Sequence, residues 1–141
     1  MHLRLLLVED DEIFERFVRA ILEEDISQIH HARDMAETRK EISMHSFDVI
    51  VLDLGLPDSK RPQTVAEIPA IKQAQPDAVL LVASAFPDYK EPAMAAGADG
   101  FLPKESTAKH RAMITSIYAH LAKKKATPEE SGRLLQNVAE G

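Results

Sequence analysis

The segment Phe47-Asp48-Val49-Ile50-Val51-Leu52-Asp53, followed by Leu54-Gly55-Leu56-Pro57, is the strongest constraint on how this chain folds. A run so rich in β-branched and large aliphatic residues fits a strand buried on both faces, the situation of a central strand in a parallel α/β sheet. Carboxylates are rarely buried unpaired, so Asp53 is expected at the mouth of that strand. In open α/β sheets the carboxyl ends of the strands are where ligands sit. A second apolar run, Leu3-Arg4-Leu5-Leu6-Leu7-Val8, ends in Glu9-Asp10-Asp11-Glu12. If the two strands are neighbours, at least three carboxylates converge on one point, a site for a hard divalent cation.

The remaining sequence supplies the alternation such a sheet requires. Strands are expected at about 3–8, 28–32, 47–53, 78–83 and 100–102. A first helix from about Asp11 to Glu24 carries Phe14, Phe17, Val18, Ile21 and Leu22 on a single stripe. A second covers about Met35 to Met44. The third contains Pro69 and is expected to start late, with that proline in its first turn, or to kink. The fourth lies between Pro87, Pro92 and Gly97 and is expected to be short, Gly97 closing it. The last, about 106–124, buries Met113, Ile114, Ile117, Tyr118 and Leu121 and ends in Lys123-Lys124-Lys125, charges suited to a helix C-terminus. Helices alternating with strands imply βαβ units and a parallel sheet covered on both faces.

Composition narrows the chemistry. No cysteine is present among the 141 residues, so disulfides and thiolate metal centres are excluded. A formal net charge of −6 argues against nucleic-acid binding by this segment. No apolar stretch is long enough to span a bilayer, and Arg4 is followed by only four apolar residues, too few for a signal peptide; the expected compartment is the cytoplasm, without membrane contact.

Four strand ends then carry polar groups: Glu9-Asp10, Asp53, Ser84 and, just past the fifth, Lys104. An acidic cluster binds Mg²⁺, which keeps phosphate oxygens and waters in its shell and offsets repulsion between phosphate and carboxylates. Asp53 is then a nucleophile able to become an acyl phosphate. Lys104 pairs with a phosphate oxygen, and the Ser84 hydroxyl donates to another.

This pattern resembles the receiver domain of bacterial two-component response regulators, the CheY-like superfamily. The resemblance covers nearly all of residues 3–122. It rests on Val8-Glu9-Asp10-Asp11, Asp53-Leu54-Gly55-Leu56-Pro57, Ser84-Ala85 and Ala98-Asp99-Gly100-Phe101-Leu102-Pro103-Lys104, in order and at suitable spacing. It implies a doubly wound α/β fold, a five-stranded parallel sheet of order 2-1-3-4-5. It also implies Asp53 as phosphoacceptor, and Glu9, Asp10, Asp53 and the Gly55 carbonyl as Mg²⁺ ligands. Ser84 and Phe101 take the positions of the switch hydroxyl and switch aromatic, and Lys104 that of the phosphate-binding lysine. The implied partner is a sensor histidine kinase or phosphotransfer protein, with the chain acting as a phosphoacceptor rather than an enzyme. The resemblance also implies that Gly55 and Phe86 flank the path of hydrolytic water.

Competing readings weigh less. A flavodoxin-like cofactor protein needs a phosphate-cradling loop where Glu9-Asp10-Asp11-Glu12 would repel phosphate. A haloacid-dehalogenase-type phosphatase needs an aspartate where Gly55 stands. A pseudo-receiver that is never phosphorylated, or a receiver fragment of a LuxR-type DNA-binding regulator, are the alternatives kept. Asp11 reads as a helix cap, and His30 and His31 as ordinary residues of the second strand with no metal assigned. Residues 1–124 are taken as the receiver domain and 125–141 as a tail or linker, with Thr127-Pro128-Glu129-Glu130 as a possible helix start.

Overall fold

The computed structural model describes residues 3–104 and 110–125. Five strands, β1 (Arg4–Val8), β2 (Gln28–Ala32), β3 (Val49–Asp53), β4 (Val79–Ser84) and β5 (Gly100–Pro103), form one parallel sheet of order β2-β1-β3-β4-β5. Helices α1 (Glu12–Leu22), α2 (Met35–Met44), α3 (Arg61–Ala74), α4 (Lys90–Ala96) and α5 (His110–Lys125) alternate with them.

Period-2 alternation divides the core into two layers. Leu5, Leu7, Val49, Val51, Val79 and Leu81 face α1 and α5, where Val18, Leu22, Met113, Ile117, Tyr118 and Leu121 close over them. Leu6, Val8, Ile50, Leu52, Leu80 and Val82 face α2, α3 and α4, where Met35, Ile68, Ile71 and Ala93 complete the second layer. Both faces of β1, β3 and β4 are therefore covered, as their continuous apolar runs require. Asp11 caps α1, its Oδ1 accepting from the N–H groups of Ile13 (3.0 Å) and Phe14 (3.1 Å).

Two sequence expectations change, and one holds. Phe17 does not join the buried stripe of α1: it is 50% exposed and lies one turn beyond Ile13, itself 81% exposed, while Phe14, Val18, Ile21 and Leu22 make the core contact. The helix axis is turned so that the stripe centres on Val18 and Leu22, a choice periodicity cannot make when the apolar arc is wide. The third helix does not start late. It runs from Arg61, with Pro62 in its first turn, and Pro69 lies inside it. An interior proline removes one N–H donor and is tolerated here because Ile68 and Ile71 on either side are buried in the core. The fourth helix is short, but begins at Lys90 after a 3-10 turn at Pro87–Tyr89. Pro92 falls in its first turn, where N–H groups lack helical partners in any case. Gly97 ends it at φ 119°, a left-handed conformation that disfavours any side chain. Ile114, residues 105–109 and the tail from 126 onward lie outside the described side chains or residues.

Candidate phosphoacceptor site

Parallel strand order makes β1 and β3 neighbours, paired from Leu5↔Val49 to Val8↔Leu52, so the residues that follow them meet at one edge. Asp53 is opposite Ala83 on β4, and Ser84 opposite Pro103 on β5, which delivers Lys104 to the same edge. A cleft of about 290 Å³ opens there, lined by Glu9, Asp10, Asp53, Gly55, Ser84 and Lys104 together with Arg61 and Phe86. A larger hollow of about 420 Å³ lies along the outer β2 edge between Arg19 and His30, and none of the strand-end groups reaches it.

Glu9, Asp10 and Asp53 each offer a carboxylate oxygen within 4.8 Å of the others. Glu9 is almost wholly buried, at 1% exposure. Its Oε2 accepts from the backbone N–H of Asp10 (3.1 Å) and Asp11 (3.4 Å). Lys104 Nζ is 2.7 Å from Glu9 Oε1 and 3.6 Å from Asp53 Oδ2, an ion pair with each. Burial, followed by the hydrogen bond and charge of Asp53, pushes the Glu9 carboxyl up to about 7 against the pull of Lys104. Asp10 is also raised, by burial and the neighbouring Glu9 charge, its own backbone N–H and Lys104 opposing. For Lys104, burial works to lower the pKa, but its pairing with Glu9 and Asp53 prevails and raises it. The cluster thus carries more negative charge than one lysine offsets. An all-oxygen set of this kind fits a hard divalent cation.

Of the residues singled out from sequence, the structure brings Glu9, Asp10, Asp53, Gly55, Ser84 and Lys104 to one cleft. Ser84 is 3% exposed, and its Oγ accepts from the Phe86 N–H at 3.0 Å. Phe101 does not line the cleft. It is half-buried on β5 against the α3–α4 layer. His31 is tied to the site through its Nε2, 2.7 Å from the Glu9 carbonyl oxygen.

Sequence reading missed Arg61. Its guanidinium lies 3.9 Å over the Phe86 ring, and its nitrogens would be about 3.5 Å from any Cβ added at Gly55. Arg61 joins the site only because α3 starts there, and the local sequence Asp58-Ser59-Lys60-Arg61-Pro62 reads simply as a polar loop.

The model of the response regulator receiver domain matches residues 5–117. The chain belongs to the response regulator receiver family. The KDP operon transcriptional regulatory protein KdpE of Escherichia coli (strain K12) is 35% identical over 100 residues, covering 71% of this chain and 44% of KdpE. This receiver therefore spans less than half the length of that curated relative. Among solved structures, the CheY-like receiver domain protein of Methanospirillum hungatei JF-1 superposes with a TM-score of 0.78 at 20% identity, covering 89% of this chain and 98% of that one. A response regulator from Burkholderia pseudomallei, solved with a phosphorylated aspartic acid, calcium ion and citrate, gives 0.69 at 23% identity over 98% of this chain and 74% of its own. Both likenesses bear on the fold alone. The receiver is the signalling module of two-component response regulators, and none of its described helices is long and apolar enough to cross a membrane.

Proposed function

We propose that this receiver accepts a phosphoryl group on Asp53 from a phosphohistidine of a sensor histidine kinase or phosphotransfer protein, in a Mg²⁺-dependent reaction. The observation that carries the reading is the meeting of Lys104 with Glu9 and Asp53 at the ends of β1, β3 and β5. In the transfer an Asp53 carboxylate oxygen forms a bond to phosphorus as the phosphorus–nitrogen bond of the donor breaks. The product is an acyl phosphate, and the imidazole keeps the electron pair and takes up a proton.

Glu9, Asp10, Asp53 and the Gly55 carbonyl would hold Mg²⁺. When bound, the ion supplies charge neutralisation and polarises the phosphoryl group. Lys104 stands beside Asp53 already and exchanges its carboxylate partners for a phosphoryl oxygen, a charge-assisted contact. Ser84 presents its hydroxyl from the adjoining strand end. The acyl phosphate adds charge and acceptor oxygens that draw Ser84 and Lys104 inward. Phe101 responds from β5, shifting a pre-existing equilibrium of the face formed by α4, β5 and α5. Residues 1–124 constitute the switch, with 125–141 as its tail or linker.

Binding of beryllofluoride, a phosphoryl mimic, followed by NMR with and without Mg²⁺, tests the reading. Saturable, Mg²⁺-dependent shifts at Asp53, Ser84 and Lys104 that extend to Phe101 are expected. A well-folded sample that shows none is a pseudo-receiver.

A further inference from the structure

A second cluster of metal-ligating groups lies away from the acidic cleft, on the α2 side of the β2 edge. His30 Nδ1 is 3.3 Å from Glu41 Oε2, and His45 Nε2 is 3.9 Å from the same oxygen. One ligand atom from each of the three residues lies within 4.8 Å of the other two. Glu41 is in the last turn of α2, His45 is its C-cap, and His30 comes from the middle of β2, paired with Leu6. Sequence reading saw His30 only as a strand residue, since its two companions stand on another element.

We propose that His30, Glu41 and His45 form a binding site for a borderline divalent ion, zinc, distinct from the Mg²⁺ cleft. Two imidazoles and one carboxylate are a donor set that zinc takes readily, leaving a fourth position for water. Around a tetrahedral ion with ligands at about 2.0–2.1 Å, donor atoms stand roughly 3.3 Å apart. The pair at 3.3 Å already satisfies that spacing. The pair at 3.9 Å closes by about half an ångström. All three side chains are partly shielded, between 24% and 32% exposed, so an ion gains contacts without the site having to open.

The backbone that carries these donors is fixed. The His45 N–H donates to the Glu41 carbonyl at 3.0 Å, which sets their relative position across the end of α2. Buried Gln75 reaches over from the end of α3. Its Nε2 donates to the carbonyls of Ile42 (3.0 Å) and His45 (2.8 Å), and its Oε1 accepts from the Phe47 N–H (3.0 Å). The Phe47 ring, 4% exposed, stands edge-on to both imidazoles, with centroids 5.3 Å from His30 and 6.2 Å from His45. It gives the cluster an apolar floor. A bound ion would therefore join the outer strand, the end of α2 and the lead into β3.

The test is a zinc chloride titration of the full, tag-free chain in saturating Mg²⁺, which occupies the acidic cleft. It is read by the imidazole resonances of the six histidines and by calorimetry. One-to-one, saturable binding that shifts His30 and His45 together is expected. H30Q/H45Q should abolish it, and E41Q, which keeps the shape of the side chain, should weaken it at least tenfold. Shifts confined to other histidines, an adventitious ion only, or undiminished binding by E41Q would overturn the assignment. If the double variant fails to fold, E41Q with circular dichroism as a fold control decides alone.

Discussion

Lys104 Nζ lies 2.7 Å from Glu9 Oε1, and this contact couples the last strand of the sheet to the first across the acidic cleft. Glu9 is buried at the end of β1, and Lys104 is the first residue beyond β5. Only a sheet with β3 and β4 between them, all parallel, puts these two ends around one point. The lysine is the cation paired with the acidic cluster of the cleft.

Removing that cation makes stability pH-dependent in a defined direction. Glu9 binds its proton more tightly in the folded chain, at about 7 against 4.5, so its contribution to stability is full below 4.5 and declines as pH rises through about 7. Lys104→Met takes away the ion pair that opposes this rise, leaving Glu9 facing Asp53 and Asp10, with His31 on its backbone carbonyl. The expected loss is about 1–3 kcal/mol at pH about 8 and much less at pH about 5.5, where Glu9 is neutral. Urea unfolding at the two pH values, without Mg²⁺, measures it, and Mg²⁺ should narrow the gap. An equal loss at both pH values would sink the account.

Asp53→Asn keeps the size of the side chain at the mouth of β3 and removes both the nucleophile and one carboxylate of the cluster. Acceptance of radiolabel from a phosphohistidine donor or a small phosphoramidate should disappear while circular dichroism stays unchanged. Because Asp53 raises the Glu9 pKa, the same variant should titrate Glu9 below about 7, observable by carboxyl NMR. Retained labelling would move the phosphoacceptor elsewhere.

If Asp53 is phosphorylated as proposed, Arg61 should bear on the lifetime of that state. Stacked on Phe86 and beside Gly55, it lines the same cleft as Asp53, and on the proposed reading it would cover the approach of water to an acyl phosphate there. Arg61→Ala removes both the cover and a cation beside the cleft, and should shorten the phosphoryl half-life several-fold while leaving the extent of Mg²⁺ binding unchanged. Mass spectrometry of the decaying phosphoprotein gives the half-life; an unaltered decay would mean that Arg61 does not shield the group.

Asp58 holds the N-terminus of α2 from the loop after β3. Its carboxylate accepts from the N–H groups of Met35 (2.8 Å) and Ala36 (3.0 Å), which together hold its pKa below the ordinary aspartate value. Asp58→Ala leaves two helix-terminal donors to water and should cost about 1 kcal/mol near neutral pH. The difference should fade as pH falls into the range where a normal aspartate protonates, since a depressed carboxyl contributes only while ionised. Chemical denaturation across that range is the check.

Much of this receiver was legible in its residues. Continuous apolar runs ending in Asp53 and Glu9 already specified a sheet buried on both faces with acid at its mouth, because a buried strand tolerates charge only where it emerges. Asp11 announced its cap, and Gly97 the end of α4. Other features depended on packing between elements. Phe17 fits the helical stripe as well as Val18 does, and only the seating of α1 on the sheet exposes one and buries the other. Pro69 pointed to a late start or a kink, whereas α3 begins at Arg61 and runs through it.

The same division separates the two sites. Sequence by itself determined which residue types end the strands, and hence the acidic character of the cleft, since strand ends are fixed by runs of neighbours along the chain. Tertiary structure alone decided that Arg61 covers Phe86, that Lys104 pairs with Glu9, and that His30 meets Glu41 and His45. Each of these contacts depends on the angle and register at which separate elements pack. Those are set by the fit of side chains across an interface, which periodicity along a single segment does not encode.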